Sequence, residues 1–381
     1  MNPRTKTLLL QGSLFLLTLI TTTMAGAEWI YGRLFIDPEH GIGWPEFWDG
    51  LQYSIPFLTI LTVHEFGHYF TAQVHRVRVT LPYYIPLWLG LGQSLGTLGA
   101  FIRIQDYINS RKKYFDIGIA GPLAGFVVAL GVLWYGFTHL PPPEYIFTIH
   151  PEYKKYGLDY ANYVYKNLPA EGLAVLGDNI LFWWFKNYVA DPARLPNPYE
   201  MIHYPYLMAG YFALFFTSLN LIPIGQLDGG HILYGLIGRR AFRLVAPVLF
   251  VGFAFYAGLG YFKPADFAIA SDALFLNALW QLAIYVFVLY IAFQRLNDNR
   301  TTALLMALSV VAGQFLISYL WPNVQGYPGF LLFILILGRF LGVYHPETEE
   351  DEPLSTGRKV LGWLTLIIFV LCFSPKPFTG L

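Results

Sequence analysis

Nine long apolar runs, separated by loops that hold most of the charge, leave this chain few ways to fold. They lie at 8–24, 51–74, 115–140, 206–222, 241–262, 274–293, 303–321, 329–343 and 360–373. An apolar run of about 20 residues crosses the hydrocarbon core of a bilayer as a helix. No water is present there, so every backbone N–H and C=O must be bonded within the segment, which a helix achieves. Of the 381 residues 55% are hydrophobic and 13% charged, about half the roughly 25% usual in soluble domains. The expected class is an all-α polytopic membrane protein with about nine candidate transmembrane segments and the lipid bilayer as its surroundings. The run 329–343, short and carrying Arg339, fits least well. The formal net charge is zero, so no basic surface points to nucleic acid. The single cysteine, Cys372, excludes an intramolecular disulfide and a four-cysteine zinc site. A metal here would rely on His, Asp or Glu.

Loop charges give an orientation. Arg4 and Lys6 precede the first run; Arg76, Arg78, Arg103, Arg111, Lys112 and Lys113 lie between the second and third. Arg239, Arg240 and Arg243 follow the fourth, Arg295 and Arg300 the sixth, and Arg358 and Lys359 precede the last. All fall on one side if the N-terminus is cytoplasmic, the positive-inside pattern. The first run is read as a retained helix. Its basic start and Ala25-Gly26-Ala27 are also the pattern of a cleavable signal peptide, and both readings put residue 28 outside. Five segments follow: an N-terminal helix and outside loop (1–50), a second and third span with the stretch between them (51–140), an aromatic-rich extracytoplasmic insertion (141–205), a fourth span and the break after it (206–240) and a C-terminal bundle (241–381). The insertion's NILFWWFKNYV, 179–189, fits either a helix lying on the membrane surface or ordinary packing in a small domain. The acidic stretch 347–352 reads as a solvated cytoplasmic loop.

The second run contains TVHEFGHYF, 62–70. His64 and His68, four apart, share one face of a helix and can reach one ion. With Glu65 they form HExxH, two zinc ligands and a glutamate that takes a proton from the water the metal activates. Unpaired, these groups would cost several kcal/mol inside a membrane span; a metal offsets that. A catalytic zinc takes three protein ligands and keeps one open position. The third candidate is Asp228, in NLIPIGQLDGG, 220–230, where Pro223 and three glycines break a helix. The orientation places this break and the HExxH on the same, cytoplasmic side. A turn or helix-capping role is the other reading of Asp228.

These residues resemble the site-2 protease family of intramembrane zinc metalloproteases. The family's Asn-x-x-Pro and Leu-Asp-Gly match Asn220, Pro223, Leu227, Asp228 and Gly229, and its small-residue motif matches Gly121-Pro-Leu-Ala-Gly125. The resemblance covers residues 51–240. It implies one zinc per chain on His64, His68 and Asp228, Glu65 as general base, and Asn220 stabilising the oxyanion; hydrogen bonding to backbone freed by Pro223 is Asn220's other role. It implies that 79–104, rich in Pro and Gly and ending in Leu98-Gly-Ala-Phe-Ile-Arg-Ile104, is a re-entrant β-hairpin whose edge pairs with an unwound substrate. Phe101, Ile102, Gly121 and Gly125 are then the substrate-binding positions. Gly125 offers no side-chain hydrogen bond, and helix packing is its other role. Many bacterial relatives carry PDZ domains where this chain has its insertion, which lacks their strand pattern.

The expected function is hydrolysis of a peptide bond in or near a transmembrane helix of a membrane-protein substrate, in the plasma or inner membrane of a bacterium. A metal transporter and a non-catalytic helix-binding relative are the alternatives. Transport would need more polar groups than Asn277, Gln281 and Gln314 in the other spans, and the intact Glu65 fits catalysis better than mere binding.

Overall fold

The computed structural model describes residues 2–37, 41–90, 94–166, 174–268, 271–297 and 299–379. It divides into two compact units, one of Met1–Ile108, Asp116–Asn220 and Ile367–Leu381, the other of Asn109–Phe115 and Leu221–Leu366.

The first unit begins with α1 (Pro3–Tyr31), started by Asn2, whose side chain accepts from Arg4 N, and ended by Gly32 in the left-handed region. Helix α2 (Trp44–Asp49) leads into α3 (Leu51–Val74). Helices α1 and α3 pack together, with the hydroxyls of Thr22 and Ser54 2.5 Å apart in the buried seam. Strands β1 (Tyr83–Leu87) and β2 (Gly96–Phe101) pair antiparallel. Their register slips between Tyr84 and Pro86, as expected where proline has no N–H to give to the ladder. The pair lies on α1: Thr21 Oγ1 donates to Gly96 O at 2.7 Å, and Gln11 Nε2 to Leu81 O, just before β1, at 2.7 Å. Helix α4 (Arg111–Thr138) follows, all but its first turn belonging to this unit.

The insertion is irregular, with α5 (Ile146–Ile149), α6 (Ala161–Val164), β3 (Val175–Leu176) and α7 (Ile180–Tyr188). Asn179 caps α7 by accepting from Phe182 N at 2.9 Å. One face of α7 buries Phe182 and Phe185 against Phe137 of α4, while Trp183, Trp184 and Tyr188 stay exposed. The packing reading of this segment thus holds for its Phe182 and Phe185 face. Helix α8 (Pro205–Asn220) packs on α3, and β4 (Phe378–Thr379) pairs with β3. Trp29, Tyr53, Phe57, Leu133, Phe137, Phe182, Tyr211 and Phe212 form the centre of this unit's core.

The second unit is helical: α9 (Asp228–Gly258), α10 (Asp272–Phe293), α11 (Arg300–Leu320), α12 (Phe330–Ile336), which runs on as a π turn, and most of α13 (Thr356–Cys372). Helix α9 breaks at Gly238, φ +78°. The Arg111 guanidinium donates to Gly235 O at 3.0 and 2.8 Å there, bonding a carbonyl beside the break, and pairs with Asp351 at 3.0 Å. The acidic stretch is thus more than a solvated loop. Glu347 pairs with Arg239 and Arg243, and Glu350 bonds the backbone of Asn109 and Arg111. The partners lie about a hundred or more residues away in the chain, where no local pattern reveals them.

Each of the nine expected runs falls mainly on a helix, and the architecture is mostly helical with two small sheets. Among the described residues five helices, α1, α4, α9, α10 and α11, are long and apolar enough to cross a membrane. In α3 the polar residues around His64 dilute an otherwise sufficient length of 24 residues. Helices α8 and α13, with 16 and 17 residues, are shorter than a full span. This is a multi-pass membrane protein.

Phe212 is fully buried, with ring centroids 5.9 Å from Trp29 and 5.7 Å from Phe378. Phe212→Ala should destabilise the first unit by about 3–5 kcal/mol, seen as a lower midpoint of thermal unfolding in detergent.

Candidate metal centre

Helix α3 buries His64, Glu65 and His68 together. Their spacing brings the Nε2 atoms of the two histidines to 3.1 Å from each other. His68 Nδ1 lies 2.7 Å from Ile117 O on α4. A carbonyl only accepts, so Nδ1 carries a proton, and in the neutral ring Nε2 presents a lone pair. A hydrogen bond on the far nitrogen is how metal-binding imidazoles are oriented. Two ligands held at about 2.0–2.1 Å on a tetrahedral zinc stand about 3.3 Å apart, close to the separation here. The pair fits a zinc ion.

Glycines make this geometry possible. A Cβ on Gly67 would stand 2.6 Å from Ala120 O, and one on Gly121 2.1 Å from His68 Nε2. A Cβ on Gly125 would reach 3.0 Å from His64 Cβ. The absent side chains let the backbones of α3 and α4 approach, as small residues do between membrane helices. Gly121 and Gly125 therefore lie against the two imidazoles. At the end of α8, Asn220 Nδ2 lies 3.4 Å from His64 Nε2. A side-chain amide is thus beside the histidines.

Two further groups near the histidines had no signal in the sequence. One is the Ile117 carbonyl, which any residue would supply. The other is Tyr84 of β1, buried, with its hydroxyl 2.7 Å from Thr62 Oγ1. Burial pushes its phenol above the ordinary tyrosine range, and the Thr62 hydrogen bond opposes the rise. Phe101, ending β2, is exposed and stacks on its ladder partner Tyr83 with centroids 5.6 Å apart, and Ile102 lies just past the paired residues. Asp228 is the first residue of α9, in the second unit. The backbone there is tight: a Cβ on Gly229 would stand 2.0 Å from Leu221 O.

Compared with known proteins, residues 52–259 match the model of peptidase family M50, the site-2 protease family, over more than half of the chain. The chain belongs to this family. It is 27% identical over 194 residues to the probable zinc metalloprotease EGY2, chloroplastic, of Oryza sativa subsp. indica, covering 50% of this chain and 30% of the relative. It is 28% identical over 191 residues to the probable zinc metalloprotease EGY1, chloroplastic, of Arabidopsis thaliana, again 50% and 30%. The chain thus spans about 30% of the length of these curated relatives. No solved structure gives a significant match.

If the M50 chain needs glycine at 121 to seat His68, Gly121→Ala should weaken zinc binding at His64 and His68 about tenfold or more, a typical loss when a ligand's support is disturbed. Zinc titration of detergent-purified protein measures this, and Gly131→Ala, in open space on the same helix, should leave it unchanged.

Proposed function

We propose that this chain is an intramembrane zinc metalloendopeptidase that hydrolyses a peptide bond in or near a transmembrane helix of another membrane protein. The observation that carries the reading is the buried pair of Nε2 atoms, 3.1 Å apart, on the helix that also holds Glu65. Membership of a peptidase family and the names of the zinc metalloproteases it resembles support it.

Zinc, when bound, would supply a positive centre that acidifies a water toward pKa 7 and polarises the scissile carbonyl. Glu65 takes the proton from that water and returns it to the leaving amine. Asn220 donates from its amide to the oxygen on which negative charge develops. Ile117 O keeps the His68 ring turned toward the site. Asp228 is the third ligand in this reading, on the strength of the Leu-Asp-Gly motif. The β1–β2 pair offers a strand edge to an unwound substrate segment, which matters because a helical substrate hides its peptide bonds in its own hydrogen bonds. The loop charges support a cytoplasmic N-terminus and a cut near the cytoplasmic side.

The test is a single-span membrane protein with a terminal label, reconstituted with the chain in vesicles. Cleavage in or near the span is expected. It should stop with a zinc chelator and return with zinc, and Glu65→Gln should lower its rate about 10²–10⁴-fold while zinc stays bound. Undiminished cleavage by Glu65→Gln would remove the mechanism. Asp228→Ala should lower the zinc content by one ion per chain; full retention would put the third ligand elsewhere.

A further inference from the structure

Between α4 and α8 the insertion brings together a second set of metal-ligating side chains, His150, Glu200 and His203. His150 follows α5, and Glu200 starts the 3-10 turn Met201–His203 that leads into α8. The separations are short. His150 Nε2 is 3.4 Å from His203 Nε2, His203 Nε2 is 3.3 Å from Glu200 Oε2, and His150 Nε2 is 3.8 Å from the same oxygen. Glu200 and His203 are buried, and His150 reaches the solvent edge with a side chain 25% exposed.

The hydrogen-bond partners on the far sides decide what these three atoms carry. His203 Nδ1 lies 2.7 Å from Ile30 O and 3.1 Å from Trp29 O. Both carbonyls only accept, so the ring proton sits on Nδ1 and Nε2 presents a lone pair. His150 Nδ1 lies 3.1 Å from Glu152 Oε1, an acceptor too, so in the neutral ring the proton sits on Nδ1 and the Nε2 of His150 also presents a lone pair. The other oxygen of Glu200, Oε1, accepts from the Tyr165 hydroxyl. With both rings neutral, two imidazole lone pairs and a carboxylate oxygen converge, each backed by a partner that fixes its direction. Facing acceptors repel unless something positive lies between them. Two of the three separations match the edge of about 3.3 Å expected for ligands on a tetrahedral zinc, and the third is a little longer.

We propose that His150, Glu200 and His203 form a second binding site for a divalent transition metal, of the class that takes two imidazoles and one carboxylate, with zinc the best fit. The solvent edge at His150 leaves a position for water. An ion here ties three parts of the first unit: the insertion, the start of α8, and through His203 Nδ1 the last carbonyls of α1, which a helix end leaves without intrahelical partners. The site is distinct from the HExxH. Helix α8, about 24 Å long at 1.5 Å per residue, separates His203 at one end from Asn220 at the other. The inference does not depend on the proteolytic reading.

Metal stoichiometry of the full-length chain in detergent tests it. Protein stripped with a chelator and dialysed against zinc should hold two ions per chain as wild type. One should remain in the His64→Ala, His68→Ala double variant, one in His150→Ala, and none when all three are combined. His150 is the partly exposed ligand, so its loss spares the buried Glu200–His203 pair. Cobalt added to the His64→Ala, His68→Ala protein gives a second readout, visible absorption of a tetrahedral ion. The bands should vanish with Glu200→Gln. A wild type holding one ion that the double variant loses, with no cobalt bands left, would overturn the proposal and make the contact a proton-held His203–Glu200 pair. Two ions retained by the double variant would instead refute the HExxH reading and leave this site standing.

Discussion

Withdrawing His64, Glu65 and His68 from water on one helix costs several kcal/mol, and much of the first unit serves to meet that demand. The Ile117 carbonyl accepts a hydrogen bond from His68 Nδ1, the Nε2 atoms turn toward each other, and Asn220 lies beside them at the end of α8. The Ile117 contact needs a close approach of two helices. Gly67 and Gly121 bring the α3 and α4 backbones close enough for a main-chain oxygen to act as an orienting group. The need to offset buried polar groups thus governs side-chain size on two helices at once.

The parts around this centre hold it in place by different means. The strand pair is fixed on α1 by Thr21 and Gln11 and tied to α3 by the Tyr84–Thr62 contact. The insertion is anchored through aromatic packing, Phe182 and Phe185 against Phe137, and through His203 on the end of α1. Helix α8 therefore has a histidine-bearing cluster at each end, one on the HExxH and one on the insertion. In the second unit the same principle of satisfying freed backbone appears at Gly238, where Arg111 bonds the Gly235 carbonyl.

Much was legible in the chain because it depends on local spacing. The four-residue interval of His64 and His68 puts both rings on one helix face whatever surrounds them, and Pro82, Pro86 and the glycines after them already exclude a helix between α3 and α4. The sequence also holds a Glu-x-x-His at Glu200 and His203, which was not read as a site. What hid its meaning was His150, 50 residues earlier, joined to it only by the folding of the insertion. The pairing of Glu347 with Arg239 and Arg243 was hidden in the same way, by about a hundred residues of intervening chain.

By itself, then, the sequence determined the helical membrane class, the HExxH pair and the family motifs, because hydrophobic run length and helical period are properties of neighbouring residues. Only the tertiary structure decided which nitrogen of His68 carries its proton, why Gly121 and Gly125 must be small, and that His150 meets Glu200 and His203. Those outcomes depend on carbonyls and rings brought within about 3 Å by distant segments, and hydrogen bonds at that range have no counterpart in the order of residues along the chain.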